Sequence, residues 1–113
     1  MRKVQEALQH TGIPAFAGAW KSTSAQPIAP NQYIVYNTMV TEDEHWDDEY
    51  RQYRVYVYLN LWSKGDPTEA VRTIRTAMRI AGFSFYDETD SYNHDTGYHL
   101  VAATWVIYVS DTD

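Results

Sequence analysis

From Arg51 to Trp62 the chain reads RQYRVYVYLNLW, with Tyr53, Val55, Val57, Leu59 and Leu61 on one parity and Gln52, Arg54, Tyr56, Tyr58, Asn60 and Trp62 on the other. A period of two carried by β-branched and aromatic residues predicts one long strand with an apolar face and an amphipathic face. Neither Gly nor Pro interrupts it, so it should be a central strand. Tyr56, Tyr58 and Trp62 are too apolar for a freely solvated face yet carry polar tips, a mixture that suits a second packed layer or a protein interface.

The remaining elements follow from the same reading. Val4, Ala7 and Leu8 have helical spacing, which predicts a short helix over residues 2–10 ended by Thr11-Gly12-Ile13-Pro14. Residues 15–32 read as an extended loop pinned by Phe16, Trp20 and Ile28, with room for a short strand near Phe16. Tyr33 to Val40 is the first clear strand, entered after Pro30. After the central strand, Asp66 is placed to cap a helix, Pro67 fits its first position, and Glu69 sits three residues after the cap as a capping box requires. Val71, Ile74, Ala77 or Met78, and Ala81 form its buried stripe, and Gly82 stops it.

Phe83 to Tyr86 reads as a short strand and Asp87 to Thr96 as an acidic polar turn, with Gly97 as the left-handed residue. Tyr98 to Val109 is apolar on both parities, which predicts a strand buried on both faces. The tail Ser110 to Asp113 is polar. The order α-β-β-α-β-β predicts an α+β fold: a mostly antiparallel sheet of about four strands with two helices packed on one face.

Composition narrows the functional classes. At 113 residues the chain fits one domain, 1–113, with one hydrophobic core. Ten Tyr and four Trp favour strands and contact surfaces. A net charge of −6 opposes nonspecific nucleic-acid binding, which needs a basic surface to displace counterions. The absence of Cys removes disulfides, thiolate metal sites and thiol chemistry. The start MRKVQEALQH lacks the apolar run of a signal peptide, and no apolar run approaches membrane-spanning length, so the expected setting is the cytoplasm, with no membrane partner.

Candidate chemistry is sparse. His94, Asp95 and His99 flank one turn near Asp87, Glu88 and Asp90, but their spacing matches no established metal-ligand pattern. His45 with Asp47 and Asp48 is weaker still. No nucleophile elbow, glycine-rich phosphate loop or HExxH occurs. The carboxylates lie in the most polar stretches, without the enclosure that separates pKa values for acid-base work. The expectation is a protein that is not an enzyme, with no catalytic residue, cofactor or metal.

The punctuation of the whole chain does form a pattern. A short helix ends in Gly12-Ile13-Pro14; Pro30 leads into Tyr33-Ile34-Val35-Tyr36; Tyr53 to Trp62 runs into Lys64-Gly65-Asp66-Pro67. The helix Glu69 to Ile80 closes on Ala81-Gly82-Phe83, and Glu88 through Tyr92 with Asp95-Thr96-Gly97-Tyr98 precedes the last strand. This layout resembles the small tail-terminator, or tail-completion, minor tail proteins of long-tailed bacteriophages and prophages. The resemblance covers nearly the full chain and rests on elements and punctuation, without an invariant chemical motif. The acidic loop Glu42 to Glu49 and the stretch 15–29 do not align with it.

The resemblance implies a structural α+β subunit of the virion tail, assembled in the bacterial host cytoplasm. It would form a hexameric ring, which could remain monomeric in solution, and cap the tail tube at its head-proximal end. There it would end tube polymerisation and join the tail to the head. Its implied partners are copies of itself, the tail-tube protein and a head-completion or neck protein, with DNA passing through the ring without specific binding. Another phage neck or tail-tube adaptor, or a small binding module outside phages, remains an alternative.

Contact surfaces are suggested by charge. Thr41 to Glu49, TEDEHWDDE, places six carboxylates, among them Glu42, Asp43, Glu44, Asp47 and Asp48, around Trp46. Trp46 either folds back onto its own sheet or anchors a partner. Arg72, Arg75 and Arg79 line one face of the second helix, either as solvated surface or as a contact for an acidic neighbouring subunit. A head-to-tail ring joins two different patches of the same chain, and these two are complementary.

Overall fold

The period-two stretch forms the middle strand of a five-stranded sheet. In the computed structural model, residues 2–21, 28–42 and 52–110 are described. The elements are α1 (Arg2–Gln9), β1 (Ala15–Ala17), β2 (Gln32–Glu42), β3 (Gln52–Ser63), α2 (Thr68–Ile80), β4 (Ser84–Tyr92) and β5 (His99–Ser110). The strand order is β1-β2-β3-β5-β4. All neighbours are antiparallel except β1, which runs parallel to β2. The α+β class is as expected. The fifth strand is the short segment at Phe16, held by the Ile34 amide donating to the Pro14 carbonyl and the Gly18 amide to that of Tyr36.

Register sets the two faces of the sheet. Leu59 lies opposite Tyr36 on one side and Ala103 on the other; Val57 lies opposite Thr38 and Trp105. Val55, Val57, Leu59, Leu61, Val101, Trp105 and Ile107 therefore share one face, and all are buried. Both helices close over this inner face: Val4, Ala7 and Leu8 of α1 and Ala70, Ile74 and Met78 of α2 join the same core cluster. In α2 the stripe is centred on Ala70, Ile74 and Met78, while Val71 and Ala81 pack at its margin.

The ends of α2 follow the sequence signals with one difference. The Asp66 carboxylate accepts the Thr68 amide at 3.0 Å and the Thr68 hydroxyl at 2.6 Å, and Pro67 is already helical in φ and ψ. The reciprocal arm of a capping box is not made, because Glu69 takes the Arg72 guanidinium at 3.2 Å instead. At the other end Gly82 has φ +95° and Phe83 donates its amide back to the Met78 carbonyl, so a left-handed glycine stops the helix and Phe83 turns into the core.

Two expectations fail along β4 and β5. The stretch Asp87 to Thr96 is mostly strand, since β4 continues to Tyr92 and the turn is confined to Asn93–Tyr98. Asn93 Oδ1 accepts the amides of Asp95 and Thr96 there, and Gly97 has φ +78°. A sheet edge is wet on both faces, so DETDSY needs no apolar alternation to pair; Glu88 alone is half-buried among Ser84–Tyr92. Nor is β5 buried on both faces. Val106 is, but Leu100, Ala102 and Thr104 are half-buried and Tyr108 is exposed, because both helices cover the opposite face.

Two outcomes test this packing. Leu59→Ala removes a side chain that is 3% exposed and should lower unfolding free energy by about 2–5 kcal/mol in denaturant titration. A loss indistinguishable from zero would contradict the assignment of faces. The hydrogen bonds from Thr68 hold the Asp66 carboxyl below its ordinary pKa, so the stabilisation it gives α2 is complete above that ordinary value and is lost as pH falls through the lowered one. Asp66→Asn keeps a cap but cannot titrate, so it should flatten this acid limb of a melting-temperature profile; an unchanged limb would contradict it.

Candidate assembly surfaces

The outer face of the sheet carries tyrosines and a tryptophan that no described helix covers. At one end Tyr33, Trp62 and Tyr98 pack ring against ring at centroid distances of 6.0–6.4 Å, with Phe16 edge-on to Tyr33. The Tyr98 hydroxyl donates to the Pro30 carbonyl at 2.9 Å and Lys64 sits over the Tyr98 ring, so the cluster ties the chain entering β2 to the turn before β5. Burial, with Tyr98 beside it, raises the Tyr33 phenol above its ordinary pKa. At the other end Tyr56 meets Tyr86 edge-on and Arg54 reaches the Tyr56 hydroxyl and the Tyr108 ring. This is the amphipathic face that the sequence assigns to a second layer or an interface; among the described residues no second layer is there.

The inner side has a groove between α2 and the β4 edge. A groove of about 360 Å³ runs along α2, lined by Val71, Arg72, Arg75 and Arg79 on the helix and by Glu88, Asp90 and Val101 on the sheet. All three arginines singled out from the sequence thus lie along one groove. They are not equivalent. Arg75 donates to Glu88 at 2.6 Å and lies over the Phe85 ring, so its charge is committed within the chain. Arg72 holds Glu69 through an exposed pair, which contributes at most about 1 kcal/mol. Arg79 makes no ion pair among the described residues. Beneath the groove, Arg75 and Glu88 also line a recess of about 10 Å³ over Leu59, Leu61, Ala103 and Trp105. The buried Trp105 indole nitrogen has no hydrogen-bond partner among the described residues.

The opposite patch is only partly visible. β2 ends at Glu42, whose backbone pairs with Tyr53; Asp43, Glu44, Trp46, Asp47 and Asp48 lie outside the described residues. Tyr53 and Leu61 stand eight positions apart on β3, so the Glu42–Tyr53 pair is about 27 Å along the strand from the Leu61–Val101 pair at the groove. The groove extends from that level along α2 to Arg79 and past Glu88, which pairs with Ala103 opposite Leu59, so only its Val101 end is this far from the end of β2.

The histidines of the 93–98 turn are occupied by an aromatic contact. His94 and His99 rings lie 4.9 and 4.6 Å from the Tyr92 ring. Among the described residues no group of three or more His, Cys, Asp or Glu side chains is placed to hold a metal ion.

No family model matches the chain, and no curated protein does. Solved structures do match. A chain from the virion of a native gene transfer agent particle is similar with a TM-score of 0.63 and 9% identity, over 95% of this chain and 91% of that one. A second solved structure is similar with a TM-score of 0.53 and 15% identity, over 93% of this chain and 84% of the other. At such identities the likeness is one of fold: the helices and sheet of this chain, taken nearly end to end, have the arrangement of a chain found in a virion particle.

Proposed function

We propose that this protein is a structural component of a phage or prophage virion tail. It assembles as a ring at the head-proximal end of the tail tube, ends tube polymerisation and joins the tail to the head or neck. The observation that carries the reading is the fold shared along almost the whole chain with a virion component. It agrees in kind with the tail-terminator layout of the sequence. The aromatic outer face supports it as well, since Tyr56, Tyr58, Tyr86 and Tyr108 offer contact area that no second layer among the described residues covers. On this reading the partners are further copies of the chain, the tube protein and a neck protein. The role requires no catalytic residue, metal or cofactor, and His94 and His99 serve the packing of Tyr92.

Native mass spectrometry and negative-stain microscopy across a concentration series test the ring. A closed assembly of fixed copy number is expected, six on the tail-terminator resemblance, either free or on tubes of a tail-tube protein from the same genome. A monomer under both conditions would overturn the ring. Separately, replacing His94 and His99 together with Gln should change stability by no more than about 0.5 kcal/mol and leave assembly intact. Stoichiometric metal in the purified protein that disappears in the double variant would reopen a catalytic reading.

A further inference from the structure

Along β2 the margin of the sheet combines an open backbone with uncharged side chains. β1 stops beside Tyr36, where the Ile34 amide donates to the Pro14 carbonyl and the Tyr36 carbonyl accepts the Gly18 amide. The amide and carbonyl of a strand residue point to the same side and successive residues alternate, so the even-numbered residues of β2 face outward and the odd-numbered ones serve β3. Thr38 and Val40 therefore present their N–H and C=O groups along the margin, with no strand partner among the described residues. Asn37, Thr38, Met39 and Val40 are exposed, and the stretch 37–41, NTMVT, carries no charge.

The other margin of the sheet does not match this one. β4 carries Asp87, Glu88 and Asp90 and is irregular between Phe85 and Asp87, and pairing it beside the acidic run that begins at Glu42 would set like charges together. The window 37–41 matches itself. Its midpoint is Met39, and an antiparallel copy turned about that point sets Thr38 opposite Val40, so that each outward N–H meets an outward carbonyl. A parallel copy would align Glu42 with Glu42, whereas the antiparallel one brings Glu42 level with Tyr36 and sends the two acidic runs to opposite ends of the contact. The side chains agree. Met39 lies beside Tyr56 on the face that no described helix covers, so the two methionines would meet between two tyrosine rings, a favourable setting for a thioether.

We propose that residues 37–41 of β2 pair antiparallel with the same residues of a second copy of this chain, about a twofold axis at Met39, joining two sheets into one. The contact is isologous and closes on two copies. It goes beyond the ring reading and does not rest on it. A contact this short is weak, so the pair forms at high protein concentration and exchanges readily.

The chain has no cysteine, so disulfide trapping reports the register without background. Met39→Cys sets two thiols face to face at a non-hydrogen-bonded pair, with Cα atoms about 4.5 Å apart and within disulfide reach. Asn37→Cys faces position 41 of the other copy and lies about 14 Å along the strand from its own counterpart. Under mild oxidation Met39→Cys should give covalent dimer at about tenfold or more the yield of Asn37→Cys, and Asn37→Cys mixed with Thr41→Cys should exceed either alone by a similar factor. In sedimentation equilibrium on the cysteine-free chain, Val40→Lys and Val40→Pro should each raise the dimer dissociation constant about tenfold or more. Lysine puts a charge in the window, and proline removes an outward N–H while leaving the β3 ladder intact. Either variant carries the test if the other fails to fold.

Equal self-linking at positions 37, 39 and 41 would mean parallel pairing or random collision and would overturn the register. Dimers undisturbed by both Val40 variants would place the contact elsewhere and overturn it. A chain that stays monomeric at the highest concentration, with Met39→Cys unlinked, would overturn the second copy as occupant. Slow amide exchange at Thr38 and Val40 in the dilute monomer would mean that the chain covers its own margin, which also overturns it. Native mass read alongside separates the two readings: rings with Met39→Cys unlinked would overturn the pair and leave the ring standing, and a linked pair without rings would support the pair and overturn the ring.

Discussion

The antiparallel register between β3 and β5 governs what the rest of the molecule can do. It runs unbroken from Gln52 opposite Ser110 to Ser63 opposite His99 and puts Trp105, fully buried, against Val57. A slip of one residue would turn Val55, Val57, Leu59 and Leu61 outward and bring Tyr56, Tyr58 and Asn60 under the helices. The cost of exposing several buried aliphatic side chains, about 1.5–3 kcal/mol each, far exceeds what tyrosine rings could recover on that side. Ser63 marks where the register ends. It is buried, accepts from Gln32 and donates to the Gly65 carbonyl, so its hydroxyl is satisfied as β3 leaves the sheet and the chain turns towards α2.

What the sequence revealed follows from which signals are local. β3 announces itself because both neighbours pair with it along its whole length, so every position must conform to period two. α2 does so because Asp66, Pro67 and Gly82 act within a few residues of themselves. β4 does not, since an edge strand draws its pairing from β5 and can spend its side chains on solvent; the residues Asp87 to Ser91 look like a turn until a partner is supplied. β1 is three residues long and parallel to β2, and its existence depends on Ile34 and Tyr36 offering backbone groups some twenty residues away. The arginine face of α2 was legible as a stripe, but not its division of labour. That Arg75 belongs to Glu88 is a fact about the β4 edge, and the edge was the element the sequence concealed.

The two margins of the sheet are finished differently. On β4 the side chains of Asp87, Glu88 and Asp90 and an irregularity between Phe85 and Asp87 blunt the edge, the usual defences against unwanted strand pairing. On β2, β1 covers Ile34 to Tyr36, and from Asn37 onward the outer ladder has no strand partner among the described residues. Met39 and Val40 are exposed there, 45% and 60%. Carboxylates thus guard the edge beside the α2 groove, whereas the edge running towards the acidic segment is left apolar. The β4 margin is protected against strand addition, whereas the described part of β2 beyond Tyr36 keeps free backbone groups beside apolar side chains.

On the proposed role, charge and aromaticity would divide the work of assembly. A net charge of −6 opposes general affinity for phosphate backbones, as a ring threaded by DNA would require if the DNA is to move. The cohesion that charge cannot supply comes from rings with polar tips. Tyr58, Tyr86 and Tyr108 can stay in water on the outer face without the penalty that Leu or Phe would carry, and they bring large, nearly rigid contact area when another surface arrives. A sheet covered on one side by helices and carrying tyrosines on the other retains a face that gains by being covered. That is what the proposed role would ask of a subunit made free and joined to others later.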